Sequence, residues 1–274
     1  MTPAQLEGAI EVHEGSVHSA DGTRIGFHRL GAGPAIVFVH GSISTHADWM
    51  HVARLLAPRF TCYCMDRRGR NRSAAGGAYS LEREYEDILA VLQAAGPGAF
   101  LVAHSFGAIC ALGAALRQLP PRLGIFEPPL PIGGTVGGEI DSYRQAVEEG
   151  DNELAIEIGL RHFSRISEQE IAQIRHARGW ARLCHLAPTW VRELVAVDAL
   201  PRSVERYRAV TCPTLMLVGE NSPEHPLRDA SRALAPVLPN VRVELLRGLD
   251  HSAMRRAPEV VARLIDDFLS GGGG

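Results

Sequence analysis

The chain has 274 residues, of which 46% are hydrophobic and 22% are charged, and this composition excludes general disorder. Its 28 basic and 31 acidic residues give a formal net charge of −3, which does not favour nucleic acid or an anionic membrane surface as a partner. A chain of this length buries about 75% of the surface of its unfolded form, so its core needs no metal or disulfide.

The first residues and the cysteines bear on the compartment. Segment 1–10 has no basic region followed by an apolar one, so we expect no signal peptide. No run reaches about 18 apolar residues, so we expect no transmembrane helix. Five irregularly spaced cysteines give no zinc pattern and an odd number for pairing. We therefore expect reduced thiols in a cytoplasmic protein, a monomer or homodimer.

The predicted elements begin with an antiparallel pair. Residues 9–18 alternate with period two, Asp21-Gly22 marks a turn, and 23–30 continue the pattern. The apolar, β-branched run at 35–40 then indicates a strand buried on both faces, as in a parallel sheet covered by helices.

Strands and helices alternate from there. Strands are predicted at 60–65, 99–104 and 122–126, and helices at 48–56, 80–94 and 106–119. Ser80 is the expected N-cap of the second of these helices. Alternation over units of about 30 residues indicates right-handed βαβ crossovers.

The pattern changes near 128–131, where three prolines occur. It is helical over 143–208, and strands return at 214–218 and 241–246, with helices predicted at 227–238 and 258–269. We therefore predict an α/β core at 1–130 and 209–270, a helical cap at 131–208 and a flexible glycine tail at 271–274.

Ser105 is the candidate nucleophile. It lies between a buried strand and a helix, with Ala103 two residues before it and Gly107 two residues after it. A sharp strand-to-helix turn exposes a serine oxygen only if both of these neighbours are small. The motif is A-x-S-x-G, and a serine N-cap is the alternative interpretation of it.

Three further motifs follow other strands in order. They are His40-Gly41-Ser42, the segment from Asp66 to Ser73, and Gly248-Leu249-Asp250-His251. Together with the serine turn they resemble the α/β-hydrolase superfamily over nearly the whole chain. The resemblance implies a mostly parallel eight-stranded sheet flanked by helices with an inserted cap. Asn71 departs from the glycine that the superfamily often has, and asparagine tolerates the left-handed conformation.

The resemblance also implies roles for individual residues. His251 is the expected general base that activates the weakly nucleophilic Ser105 hydroxyl. The amides of Ser42 and Phe106 are the expected oxyanion hole. No cofactor and no metal are implied.

The acid of the triad is displaced in this sequence. The superfamily's usual aspartate position, after the strand at 214–218, is occupied by Ser222. Glu127, which ends the strand after the serine helix, is the favoured substitute, because some superfamily members take their acid from there. Glu220 and Glu224 remain alternatives, as does a dyad without an acid.

These assignments predict a serine hydrolase that cleaves an ester, lactone or thioester of a small organic molecule through an acyl-enzyme. A lyase or cyclase that uses His251 as a base, or a non-catalytic binding relative, is the alternative. The cap candidates for the substrate pocket are Phe163, His176, Trp180, His185 and Trp190. The basic run at 67–72 is interpreted as a solvated loop.

Overall fold

The computed structural model describes residues 10–271, which form one eight-stranded sheet in the order β1-β2-β4-β3-β5-β6-β7-β8. The strands are β1 (Val12–His18), β2 (Arg24–Leu30), β3 (Ala35–Val39), β4 (Thr61–Met65), β5 (Phe100–His104), β6 (Leu123–Phe126), β7 (Thr214–Gly219) and β8 (Val241–Leu246). The β1–β2 and β2–β4 pairs are antiparallel, and the other five pairs are parallel. The predicted mostly parallel sheet is thereby confirmed.

Ten helices accompany the sheet among the described residues. They are α1 (Ala47–Leu56), α2 (Leu81–Ala95), α3 (Phe106–Ala115), α4 (Ile140–Glu148), α5 (Asn152–His162), α6 (Glu168–Arg175), α7 (Trp180–Asp198), α8 (Asp229–Leu234), α9 (Ala253–Arg256) and α10 (Pro258–Ser270). Short irregular helical turns cover Glu205–Ala209 and Glu224–Arg228. Ser80 caps α2 as predicted, because its side chain accepts a hydrogen bond from the Arg83 amide.

The sheet is covered on both faces, which explains why its central strands are continuous apolar runs. All four residues of β6 and all six of β7 are buried. One hydrophobic cluster joins one face to α1 and α10 and includes Trp49 and Ile265. A second joins the other face to α2 and α3 and includes Ile88 and Ile109. Burial on both faces selects apolar residues at every strand position.

Two predicted helices are shorter than expected. Helix α3 ends at Ala115 rather than at 119, before Pro120 and Pro121, which cannot donate to a continuing helix. Helix α8 covers only Asp229–Leu234 rather than 227–238, because the separate helical turn at Glu224–Arg228 precedes it and Pro236, which lacks an amide hydrogen, follows its C-cap Ala235.

The segment between β6 and β7 contains four of the helices, α4 to α7, and no strand among its described residues. Tyr143, Ile156 and Trp190 from these helices belong to the same hydrophobic cluster as α2 and α3 of the core. The helical content expected there is present, and the division of the chain at 130/131 and 208/209 stays a prediction.

The basic run at 67–72 is not a solvated loop, and this interpretation is wrong. Arg67, Arg68 and Arg70 are each 0% exposed, and only Arg72 reaches solvent. The three buried guanidinium groups are paired with carboxylates. Asn71 has φ 39°, the left-handed conformation that the asparagine was expected to tolerate.

The remaining predictions concern the two ends of the chain and the thiols. The five cysteines are free, and four of them are buried, with Cys184 partly exposed. Across residues 10–271 we find no helix whose length and apolar character would let it cross a bilayer. The predictions on segment 1–10 and on the glycine tail fall mostly outside the described residues, which include only Ile10 and Gly271 of them.

Candidate active site

Ser105 lies in a strained turn between β5 and α3. Its φ of 56° and ψ of −129° are values that residues other than glycine rarely adopt. The turn is held by a 2.8 Å hydrogen bond from the Ser105 amide to the Phe126 carbonyl. A Cβ on Gly107 would lie 2.4 Å from the His40 carbonyl oxygen, so only glycine fits there. The small residues that the sequence pattern requires are therefore a consequence of backbone packing.

The loop after β3 passes directly against this serine. A Cβ on Gly41 would lie 2.9 Å from the Cβ of Ser105, so the backbone approach depends on glycine. Ser42 follows, and it lines the same cavity as Ser105, Phe106 and His251. The structure therefore brings both expected oxyanion-hole residues to the proposed nucleophile.

His251 contacts Glu127. Its Nδ1 lies 2.7 Å from the Glu127 Oε2, and the glutamate is 0% exposed. The same carboxylate accepts a 2.7 Å bond from the Gly219 amide and a 2.9 Å bond from the Ser222 hydroxyl. Glu127 also has a positive φ of 46°, a second strained position beside that of Ser105. A buried carboxylate with three donors has one well-defined orientation toward the imidazole.

The other carboxylates near the base are engaged elsewhere. Glu220 accepts a hydrogen bond from the Gly248 amide, and Glu224 pairs with Arg232 at 2.7 Å on the surface. Asp250 bonds to Ser252 and to Arg256. Of the three candidate acids, only Glu127 contacts the imidazole of His251.

His104, which no pattern in the sequence singles out, supports the loop that carries His251. Its Nε2 lies 2.9 Å from the His251 carbonyl oxygen, and the two rings lie 4.3 Å apart between centroids. A carbonyl only accepts, so His104 carries its proton on Nε2. Burial, with the nearby His251, lowers the pKa of His104 well below its ordinary value, so the ring stays neutral.

Ser105 and His251 open into a cavity of about 610 Å³. Its walls are mainly apolar groups from α5, α7 and the loop after β6, and charged side chains, among them Arg165, Glu170 and Arg182, also line it. The apolar lining residues include Pro129, Val136, Leu160, Phe163, Ile166, Leu183, Trp190, Leu194 and Val197. A cavity of this size suits a small organic molecule.

The cap candidates divide into two groups. Phe163 and Trp190 line the cavity, whereas His176, Trp180 and His185 do not, and the expectation for these three is corrected. The reason for His185 is helical geometry, because at 100° per residue it lies on the face of α7 opposite to Trp190. Both histidines are exposed, and Trp180 is buried away from the cavity.

One cluster of metal-ligand residue types occurs in the described part of the chain. Donor atoms of His28, His46 and Asp66 all lie within 4.8 Å of one another. The two rings are stacked at 3.7 Å, and His46 is already bonded to Asp66 at 2.8 Å. An ion cannot lie in the planes of two stacked imidazoles at once, so the cluster holds no metal in this arrangement.

The sequence matches the profile of the alpha/beta hydrolase family over residues 36–264. The chain belongs to the alpha/beta hydrolase family. The solved structure of an alpha/beta hydrolase from Sphaerobacter thermophilus DSM 20745 has the same architecture, with a TM-score of 0.83 and 33% identity. The alignment covers 93% of this alpha/beta hydrolase and 100% of the Sphaerobacter chain. This match places the eight-stranded sheet within a known fold.

Two curated relatives of the hydrolase match only in part. The N-formylmaleamate deformylase of Pseudomonas putida is 34% identical over 140 residues, which cover 47% of this chain and 52% of the relative. The probable oxidoreductase EphD of Mycobacterium tuberculosis is 36% identical over 100 residues, which cover 34% of this chain. The chain spans only 17% of the length of EphD.

Proposed function

We propose that the protein is a serine hydrolase that cleaves a carboxylic ester, lactone or thioester of a small organic molecule through an acyl-enzyme. The observation that carries the proposal is the arrangement of three side chains at the cavity. Ser105, in a strained turn, and His251 line the same cavity, and Nδ1 of His251 lies 2.7 Å from a carboxylate oxygen of the buried Glu127. Such an arrangement activates a hydroxyl by proton removal.

In the proposed reaction His251 takes the proton of Ser105 while the serine oxygen attacks the substrate carbonyl. Glu127 holds the imidazole in the tautomer with hydrogen on Nδ1 and stabilises the imidazolium that forms. The negative charge that develops on the carbonyl oxygen is stabilised by the Ser42 and Phe106 amides, the second of which lies at the start of α3. His251 then donates the proton to the leaving alcohol or thiol.

Water completes the cycle. It loses a proton to His251 and attacks the acyl-enzyme carbonyl, and the serine oxygen leaves with the proton that His251 returns. No cofactor is needed for these steps. The hydrolytic assignment is supported by membership of the family and by a relative whose name is that of a deformylase. The division into a core at 1–130 and 209–270 and a substrate-selecting cap at 131–208 belongs to the same proposal, as does a cytoplasmic monomer or homodimer.

The proposal is tested with p-nitrophenyl esters from acetate to octanoate. We expect saturable turnover that is lost in Ser105→Ala and retained in Ser203→Ala, a serine in an exposed loop. A fluorophosphonate probe followed by peptide mass spectrometry is expected to label Ser105 alone. Absence of both turnover and labelling would transfer the assignment to a lyase-type reaction that uses His251 as a base, or to ligand binding.

A further inference from the structure

The loop after β4 contains a buried arginine, Arg67, beside the active site. The proposed reaction gives it no role. Arg67 is 0% exposed, and its guanidinium donates hydrogen bonds to Glu84, Glu193 and the Gly41 carbonyl. Its Nε and Nη2 donate to Glu84 of α2 at 3.1 and 2.7 Å, and Nη2 also donates to Glu193 of α7 at 2.6 Å. Two carboxylates therefore neutralise a fully buried cation.

The remaining nitrogen of this arginine contacts the loop beside the serine. Its Nη1 donates a 3.0 Å hydrogen bond to the carbonyl oxygen of Gly41. The guanidinium carbon also lies 4.4 Å from the ring centroid of Phe106. Arg67 thus contacts the Gly41–Ser42 peptide, which includes the Ser42 nitrogen, and the side chain of Phe106. Ser42 and Phe106 are the two proposed oxyanion-hole residues.

The carbonyl of Gly41 has a second donor. The Arg67 amide donates to His40 Nε2 at 3.0 Å, so the proton of this imidazole is on Nδ1, which lies 2.8 Å from the Gly41 oxygen. Burial, together with the charges of Arg67 and Arg70, lowers the pKa of His40 to about 3, so the ring stays neutral. Two buried donors therefore hold one carbonyl oxygen.

Holding this oxygen fixes the amide on the other side of the same peptide. In a planar trans peptide the C=O and the N–H point in opposite directions, so the direction of the Gly41 carbonyl sets that of the Ser42 N–H. Donors on the carbonyl also polarise the peptide and strengthen its N–H as a donor. Preorganised donors of this kind stabilise an oxyanion because they need no reorganisation during the reaction.

We propose that Arg67 is a positioning residue for the oxyanion hole. Because Arg67 also pairs with Glu193 of α7, the position of that helix then affects the position of the oxyanion loop. The inference rests on the proposed acyl-enzyme mechanism. Glu193 is itself 0% exposed and lines the substrate cavity, so the same carboxylate connects the cavity wall to the oxyanion loop. Burial opposes its ionisation, but Arg67 and Arg70 lower the pKa of Glu193 to about 2 and keep it charged.

The chain offers a matched control for the test. Arg68 is also 0% exposed and donates two 2.7 Å hydrogen bonds to Asp87, which lies on α2 like the Glu84 partner of Arg67. It has no contact with Gly41 among the described hydrogen bonds. Arg68→Met therefore removes a buried arginine–carboxylate pair from the same loop and leaves the oxyanion loop untouched.

The experiment compares Arg67→Met, Arg67→Lys and Arg68→Met on the best p-nitrophenyl ester. We expect kcat to fall about 30-fold in Arg67→Met with KM within about twofold of the wild-type value, because the loss is confined to the oxyanion. Binding of a trifluoromethyl ketone, whose adduct carries the oxyanion, is expected to weaken by about the same factor. Arg68→Met should keep kcat within about twofold of the wild-type value, although its melting temperature should fall by about as much as that of Arg67→Met. Arg67→Lys should recover part of the loss.

Equal kcat values in Arg67→Met and Arg68→Met would overturn the proposal. If Arg67→Met does not fold, Arg67→Lys is compared with Arg68→Lys in the same way. Crystal structures of the variants give a readout that needs no turnover: a Gly41–Ser42 peptide in its wild-type position after loss of the Arg67 guanidinium would also overturn the proposal. Failure of the acyl-enzyme mechanism is recognised separately, because Ser105→Ala would then turn over the ester at the wild-type rate.

Discussion

The hydroxyl of Ser222 donates a 2.9 Å hydrogen bond to Oε2 of Glu127. The same oxygen lies 2.7 Å from Nδ1 of His251, so the serine and the histidine hold one carboxylate oxygen from two sides. Ser222 is 4% exposed and stands where the resemblance to the superfamily places the usual acid. A residue at that position therefore supports Glu127, the proposed acid.

Removal of this support is expected to slow the reaction without weakening substrate binding. Ser222→Ala should lower kcat about tenfold and leave KM unchanged, because a hydrogen bond to a charged group contributes about 1.5 kcal/mol and Ser222 does not line the cavity. Steady-state kinetics on the preferred ester measures the effect, and Ser222→Thr, which keeps the hydroxyl, should restore most of kcat. A parallel rise in KM would contradict the positioning role.

The acid should be movable between the two positions. Glu127→Ala alone is expected to lower kcat by about 10³- to 10⁴-fold, since the imidazole loses its orienting carboxylate. Adding Ser222→Asp should recover at least about tenfold of that loss, because position 222 already reaches the carboxylate site. Ser222→Asp in the presence of Glu127 serves as the control and should be less active than wild type, because two carboxylates would then share one buried site. No recovery in the double variant would show that Glu127 alone can orient His251.

The cavity wall should set the preferred acyl length. Trp190 contacts Phe163 and Tyr143 edge-on at 5.3 and 5.8 Å between ring centroids, and it lines the cavity. Trp190→Leu should shift the ratio of kcat/KM for octanoate over acetate upward several-fold, because the smaller side chain enlarges the apolar wall. Trp180→Leu is the matched control, since Trp180 lies on the same helix and does not line the cavity. An equal shift in both variants would point to a general loosening of α7.

Acid should destabilise the fold through buried neutral histidines. The pKa of His40 is lowered from its ordinary 6.5 to about 3, and the pKa of His104 is lowered in the same direction, both mainly by burial. Below about pH 6.5 these two histidines bind protons in the unfolded chain but stay neutral in the folded chain. The free energy of unfolding therefore falls as pH falls from about 6.5 toward about 3. At pH 5 the loss is about 2 kcal/mol for His40.

Urea unfolding at several pH values between about 7.5 and about 5 measures this slope. His104→Asn removes one of the two groups, so the free energy of unfolding of that variant should depend less steeply on pH. A wild-type stability that is constant over this range would contradict the neutral state of both rings.

The sequence by itself determined the order of strands and helices and the turn that carries Ser105, whereas His251 was indicated by the resemblance to the superfamily. The first two features depend on local physics. A strand buried on both faces must be apolar, and a serine in a strained turn must have small neighbours, so both leave a pattern in a few adjacent residues. The predicted ends of α3 and α8 were wrong, because prolines follow these helices where the apolar spacing alone would continue them.

The resemblance to the superfamily favoured Glu127 over Glu220 and Glu224, but only the tertiary structure showed which carboxylate contacts His251 and what surrounds the arginines. Glu127, Glu220 and Glu224 are equivalent as residue types, and only packing brings the first of them to His251 from 124 residues away. The sequence pattern predicted a solvated loop at Arg67, Arg68 and Arg70, because the carboxylates that neutralise these residues lie far along the chain, up to Glu193 on α7. Cavity lining by Trp190 rather than His185 likewise depends on how α7 is rotated against the core. Each of these relationships joins residues distant in sequence, where a single chain carries no record of contact.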